Sequence, residues 1–294
     1  MAQRTGGLVP LSALSPALVE SAAALWATAH APPCAGHGAL DAEALVLLEE
    51  GEVAGVGVTR TWGRTAQVHG LVVDERFRRR GFGAALLDAL IALMLRGDAS
   101  VIGLEVDGAG AAALTVLARA GFKPMQLSFV LEAESVSSDE AASAVRILSG
   151  ADAAAACEAS RELAASVDAE MDPSEWLLRV TARGEADLAV IDGAQALALV
   201  GRPTEGAEVM VATMTLVDEG PPYERLAALV AGISAHARAR GIARVQVAAP
   251  SRYWEPVRSL LDLGMRPGAS FLRLTRQGFP ERADTRRVNL ASWR

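Results

Sequence analysis

The segment Leu71–Leu86, LVVDERFRRRGFGAAL, restricts the possible folds more than any other part of the chain. Its apolar, β-branched start, Leu71-Val72-Val73, predicts the end of a strand. A basic turn punctuated by glycine follows, and Ala84 to Leu95 then carries helical apolar spacing. A turn that crowns a helix leaves the first N–H groups of that helix without intrahelical partners. These donors, the helix dipole and the neighbouring Arg76, Arg78, Arg79 and Arg80 suit an anionic, phosphorylated ligand.

The elements around this turn form an α/β pattern. Ser15 as N-cap and Pro16 at the first helical position predict a helix over 16–29, with Leu18, Ala22, Leu25 and Trp26 on one face. His30–Leu40 reads as a loop. Strands are expected over 44–49, 53–62 and 65–73, joined by tight turns as an antiparallel meander. A helix over 83–96 then presents Leu86, Leu87, Leu90, Ile91 and Met94, followed by a strand (101–106), a helix (111–120) and a strand (126–132).

After the serine-rich stretch 134–143 the order repeats, with strands over 145–148, 188–191, 194–200, 208–216, 243–248 and 271–274. Helices are expected over 151–167, 173–183, 222–240 and 253–263. The repeat is clearest in Ala118-Arg-Ala-Gly-Phe-Lys-Pro124 and Leu261-Asp-Leu-Gly-Met-Arg-Pro267. The expected organisation is two tandem copies, residues 8–135 and 144–277. In the second copy the turn is Val217-Asp-Glu-Gly-Pro-Pro-Tyr223, with two acids and no base. Proline removes donors and the carboxylates repel phosphate, so this copy is expected not to hold the ligand.

Composition excludes several classes. A net charge of −7, with only one short arginine cluster, argues against a nucleic-acid partner. Apolar runs are interrupted well before the length of a membrane span. Two cysteines, Cys34 and Cys157, make neither a disulfide framework nor a metal-ligand spacing, so no metal is expected and a cytoplasmic setting fits. Monomer and homodimer are both compatible with the chain.

Arg78-Arg-Arg-Gly-Phe-Gly83 resembles the Gln/Arg-x-x-Gly-x-Gly/Ala signature of the GNAT superfamily of acetyl-coenzyme A-dependent acyltransferases. Leu71-Val-Val-Asp74 is similar to that family's bulged central strand, and Leu117-Ala-Arg-Ala-Gly-Phe122 to the junction of its following helix and strand. The resemblance covers roughly residues 8–133, and the second half resembles the same fold with an eroded motif. It implies a mixed-sheet fold and transfer of an acetyl group from acetyl-CoA to a primary amine of a small molecule or peptide. It also implies that the backbone of Leu71 and Val73 pairs with the pantetheine arm, with Val72 facing the other way. The pyrophosphate would rest on Arg79, Arg80, Gly81, Phe82, Gly83 and Ala84, with Arg78 bracing the loop or touching phosphate. The family's geometry makes the Val73 N–H the donor to the oxygen that gains charge during transfer.

Three departures bear on catalysis. Leu117 stands where the family often has a tyrosine acid, Gln67 where it often has a glutamate, and Gly110 where it often has an asparagine. His69 shares a face with Gln67 and Leu71 if the strand is regular, and an imidazole can take the proton of an attacking amine. Glu75 is a second candidate base, although its place among arginines also fits a surface ion pair. Cys34 could approach the substrate, but no base partner for it is identifiable. The rival reading, motivated by Leu117 and Gln67, is a coenzyme-binding regulatory or structural protein without turnover.

Overall fold

The computed structural model describes residues 7–29, 43–107, 111–134, 144–159, 161–163, 180–191, 196–201, 208–278 and 287–290. The first half comprises β1 (Gly7–Pro10), α1 (Pro16–Ala29), β2 (Glu43–Glu49), β3 (Glu52–Trp62), β4 (Thr65–Val73), α2 (Phe82–Arg96), β5 (Val101–Asp107), α3 (Ala111–Arg119) and β6 (Lys123–Glu134). The second comprises β7 (Val145–Leu148), α4 (Gly150–Ala159), β8 (Ala186–Ile191), β9 (Ala196–Gly201), β10 (Val209–Val217), α5 (Glu224–Ala239), β11 (Arg244–Pro250), α6 (Trp254–Asp262) and β12 (Arg266–Gln277). A last strand, β13 (Arg287–Leu290), pairs with β10.

All of these strands join one mixed sheet in the order β1-β2-β3-β4-β5-β12-β6-β11-β10-β9-β8-β7. The order is symmetric about its centre, where β12 and β6 pair antiparallel. Each half has given its last strand to the other. β12 lies between β5 and β6, and β6 lies between β12 and β11. The cores follow the strands: Leu131 of β6 is buried in the second-half core, while Leu272 and Leu274 of β12 pack in the first-half core. Arg273 of β12 and Glu105 of β5 form an ion pair at 2.7 Å, with side chains only 2% and 0% exposed. The Ser128 hydroxyl of β6 donates to the same Glu105 oxygen at 2.6 Å. Removing one partner of such a pair would strand a buried charge, so the exchange is electrostatically pinned.

The expected meander is present as antiparallel β2, β3 and β4, with β1 added at its edge. β6 and β12 run further than the expected 126–132 and 271–274, because each has strand partners on both sides. Of the expected helix over 173–183 only residues 180–183 lie among the described residues; Cys34, Gly110 and the stretch 135–143 lie outside them.

Helix α2 packs closely against β3. Its buried face is Leu86, Leu87, Leu90, Ile91 and Met94, as the helical spacing predicts. Burying each such leucine or isoleucine contributes about 1.5–3 kcal/mol. Gly57 permits the approach, since a Cβ there would stand 2.6 Å from Leu90 Cδ1. This contact sets the N-terminus of α2 at the end of β4.

Candidate active site

Strand β4 ends in a structured basic turn. The Asp74 carboxylate accepts the Arg76 backbone N–H at 2.9 Å, which starts a single 3-10 turn over Glu75–Phe77. The same carboxylate accepts the Arg76 guanidinium, and these bonds hold its pKa below the usual carboxylate range. Arg76 and Arg80 lie on the Phe77 ring, at 5.2 and 5.4 Å from its centroid. Arg79 has φ +63° and Gly81 φ +87°, so the chain passes twice through the left-handed region before α2 begins. Gly81 is the N-cap of α2 and no side chain caps the helix. A Cβ on Gly81 would meet nothing within 4 Å, and one on Gly83 only Val73 Cγ2 at 3.8 Å. The N–H groups of Phe82, Gly83 and Ala84 therefore face open space at the positive end of a helix, a donor set that suits a pyrophosphate.

Arg78 braces this turn. Its Nε donates to the Val73 carbonyl at 3.1 Å and its Nη1 to Glu75 Oε1 at 3.0 Å. Glu75 is accordingly placed in an exposed ion pair at the rim.

Beside the turn the sheet opens. Parallel pairing of β4 with β5 runs only from Thr65–Val101 to Val68–Leu104. From His69 to Val73 the β5-facing edge of β4 has no strand partner among the described residues. The Asp74 N–H donates back to Ala54 O on β3, so the antiparallel alternation turns the N–H and C=O of Leu71 and Val73 toward the opening. Val72 faces the other way, into the core against α1.

The strand is not regular. Val58 pairs with Gly70 and Thr59 with Val68, so His69 is the extra residue of a β-bulge. The bulge resets the alternation: Ala66 and Val68, and after it Leu71, pack toward α2 and α3. The expected common face of Gln67, His69 and Leu71 is therefore corrected. Gln67 and His69 face α1, and Leu71 faces the opposite side. The His69 ring is half-buried and stacks on Trp26 of α1, with centroids 6.1 Å apart. Gln67 is fully buried, and neither its amide oxygen nor its nitrogen has a hydrogen-bond partner. Leu117 packs in the α2–α3 core.

Residues 16–122 match the model of the acetyltransferase (GNAT) family. The fold is the GNAT fold. A tandem GNAT protein from the clavulanic acid biosynthesis pathway aligns over 94% of this chain and 99% of its own, with 18% identity and a TM-score of 0.63. A Pyrococcus horikoshii protein provisionally called an acetyltransferase aligns over 100% and 96%, with 14% identity and a TM-score of 0.71. A GCN5-related N-acetyltransferase from Sphaerobacter thermophilus aligns over 95% and 98%, with 17% identity and a TM-score of 0.57. No curated protein matches the chain.

Within this GNAT fold the second half has the corresponding strand-turn-helix, β10 to α5, but its helix terminus is filled. Asp218 Oδ2 accepts the N–H groups of Arg225 at 3.1 Å and Leu226 at 3.3 Å, while Oδ1 accepts that of Glu219 at 2.8 Å. Asp218 is itself only 4% exposed. Its carboxylate thus satisfies the N–H groups that open α5. Among the described residues no cluster of His, Cys, Asp or Glu could hold a metal ion, and no helix is long and apolar enough to cross a membrane.

One functional candidate was missed by reasoning from sequence. Arg60 of β3 lies directly across from Gln67, is 93% buried (7% exposed), and burial pulls its pKa down to about 10. The available signal was its register. Arg60 follows Val56 and Val58 at two-residue spacing on a strand, so an arginine occupies an apolar row.

Proposed function

We propose that this protein is an acetyl-CoA-dependent N-acetyltransferase acting on a primary amine of a small molecule or peptide. Residues 8–135 hold the coenzyme, and residues 144–277 are a copy that does not. The observation that carries this reading is the uncapped N-terminus of α2 standing beside the unpaired edge of β4. The coenzyme supplies the acetyl group as a thioester. The backbone N–H groups of Arg79 to Ala84 receive its pyrophosphate, and the edges of Leu71 and Val73 receive its amide-bearing arm. Arg78 keeps the turn in register by tying it to Val73. The N–H of Val73 is the donor placed to steady the acyl oxygen as it gains charge.

His69 takes the proton from the attacking amine. It sits at the bulge where β4 and β5 part, on the face opposite the core-packed Leu71 side chain, and its ring is oriented by Trp26. An ordinary imidazole titrates near neutrality, which suits that task. Position and orientation of the two reactants supply much of the remaining acceleration. The alternative, coenzyme binding without turnover, is favoured by Leu117, which fills core space instead of offering an acid.

Coenzyme-thiol release measured against a panel of primary amines separates the two. Turnover is expected with at least one amine, and His69→Ala should lower its rate by about 10²–10⁴-fold while leaving acetyl-CoA affinity intact. A folded protein that binds acetyl-CoA but turns over with no amine supports the alternative.

A further inference from the structure

Resting on the reading above, we infer that the acceptor is a small amino acid, and that Arg60 and Gln67 recognise its carboxylate. Arg60 and Gln67 are register partners on β3 and β4, so their side chains leave the same face of the sheet, the one that also presents His69. On the far side of Gln67 its partner on β5 is Gly103, which brings no side chain. Two polar groups are thus buried side by side, next to a strand position without a side chain.

Neither has a polar partner among the described residues. Gln67 is 0% exposed and both of its amide atoms are without hydrogen bonds. No carboxylate among the described residues pairs with Arg60, and burial alone is what perturbs it. The chain has 35 acidic residues, so a counter-charge was not scarce. On β5, Glu105 is already committed to Arg273 and Ser128. A buried guanidinium with no ion partner costs stability, and so does a buried amide left unbonded. Most of this cost is relieved when a carboxylate arrives, because the guanidinium fork donates two N–H bonds to it and the Gln67 amide nitrogen can donate a third.

The geometry also sets the size of the acceptor. Gln67 and His69 are near neighbours on one strand, either side of Val68, and both face α1. A carboxylate at Arg60 and an amine at His69 are then separated by only a few bonds. That describes α-, β- or γ-amino acids better than long polyamines or a protein N-terminus.

The test is isothermal titration of the full chain, free and saturated with CoA. Titrants are the standard amino acids, β-alanine and γ-aminobutyrate, each matched by its carboxamide. At least one free acid should bind, with its carboxamide about 10–100-fold weaker. Arg60→Met should abolish the difference while acetyl-CoA binds as before, and Gln67→Leu should reduce it less. Arg60→Lys keeps the charge but loses the fork and should restore part of the discrimination. Because the unpaired charge is removed, Arg60→Met should also melt at a higher temperature than the ligand-free wild type; if it does not fold, Arg60→Gln takes its place. Equal binding of acids and amides, no binding of any acid, or full discrimination in a folded Arg60 variant overturns the inference. Titration of the free chain decides this even if acetyl-CoA does not bind, which would defeat the proposed function instead.

Discussion

The N-termini of α2 and α5 are the same device in two states. Both follow a strand of nine residues, β4 and β10, and both open a long helix packed on the sheet. At α2 the cap is a glycine at φ +87° with no side chain satisfying the helix, ringed by Arg78, Arg79 and Arg80. At α5 the donors are consumed by the buried Asp218. One terminus has its donors open and the other has them bonded to a carboxylate of its own turn. On the proposed reading, that single carboxylate is what separates a half that holds the coenzyme from one that does not.

The comparison can be broken most sharply at Gly81. Gly81→Val forces a β-branched residue toward φ +87° and places its side chain in the open space before the helix terminus. Strain of about 1–3 kcal/mol alone predicts up to about 100-fold weaker acetyl-CoA binding. Near-normal affinity in calorimetry of the folded variant would remove the cradle from α2. The reciprocal change, Asp218→Ala, should leave acetyl-CoA affinity unchanged and lower stability by about 1–2 kcal/mol through the lost helix cap, read as a reduced denaturant midpoint. Stoichiometry sharpens the contrast further. One coenzyme per chain is expected in the wild type, and two equivalents would refute the asymmetry. Least affected should be Arg80→Ala, which leaves every backbone donor in place. A loss of about 2–5-fold, shrinking at high salt, is expected for an exposed charge acting at a distance.

Much of the cradle was legible in the sequence because its determinants are local. Glycines needed at positive φ, a strand feeding a helix, and acids or bases in the turn are all written in consecutive residues. The meander was legible for the same reason, with tight turns at Glu50-Gly51 and Gly63-Arg64. The bulge at His69 was not. One inserted residue changes which side chains share a face, and its position depends on pairing with Val58 and Thr59 of another strand. Arg60 was overlooked because a lone basic residue in a strand ordinarily lies on the solvated face, although its spacing from Val56 and Val58 puts it in an apolar row and its partner across the ladder confirms the burial. Exchange of β6 and β12 lay furthest from view, since apolar periodicity says that a strand is buried and nothing about which neighbour buries it.

That exchange has a consequence for how the two halves depend on each other. Two separate copies trading terminal strands would form a swapped dimer, and their sheet would come apart on dilution. Here both copies share one chain, so the trade is intramolecular and holds at any concentration. The second half therefore has a task that needs no ligand. It lends β12, and with it Arg273, to the edge of β5 that faces away from β4. Its own turn closes over Asp218, while its last strand stays under constraint.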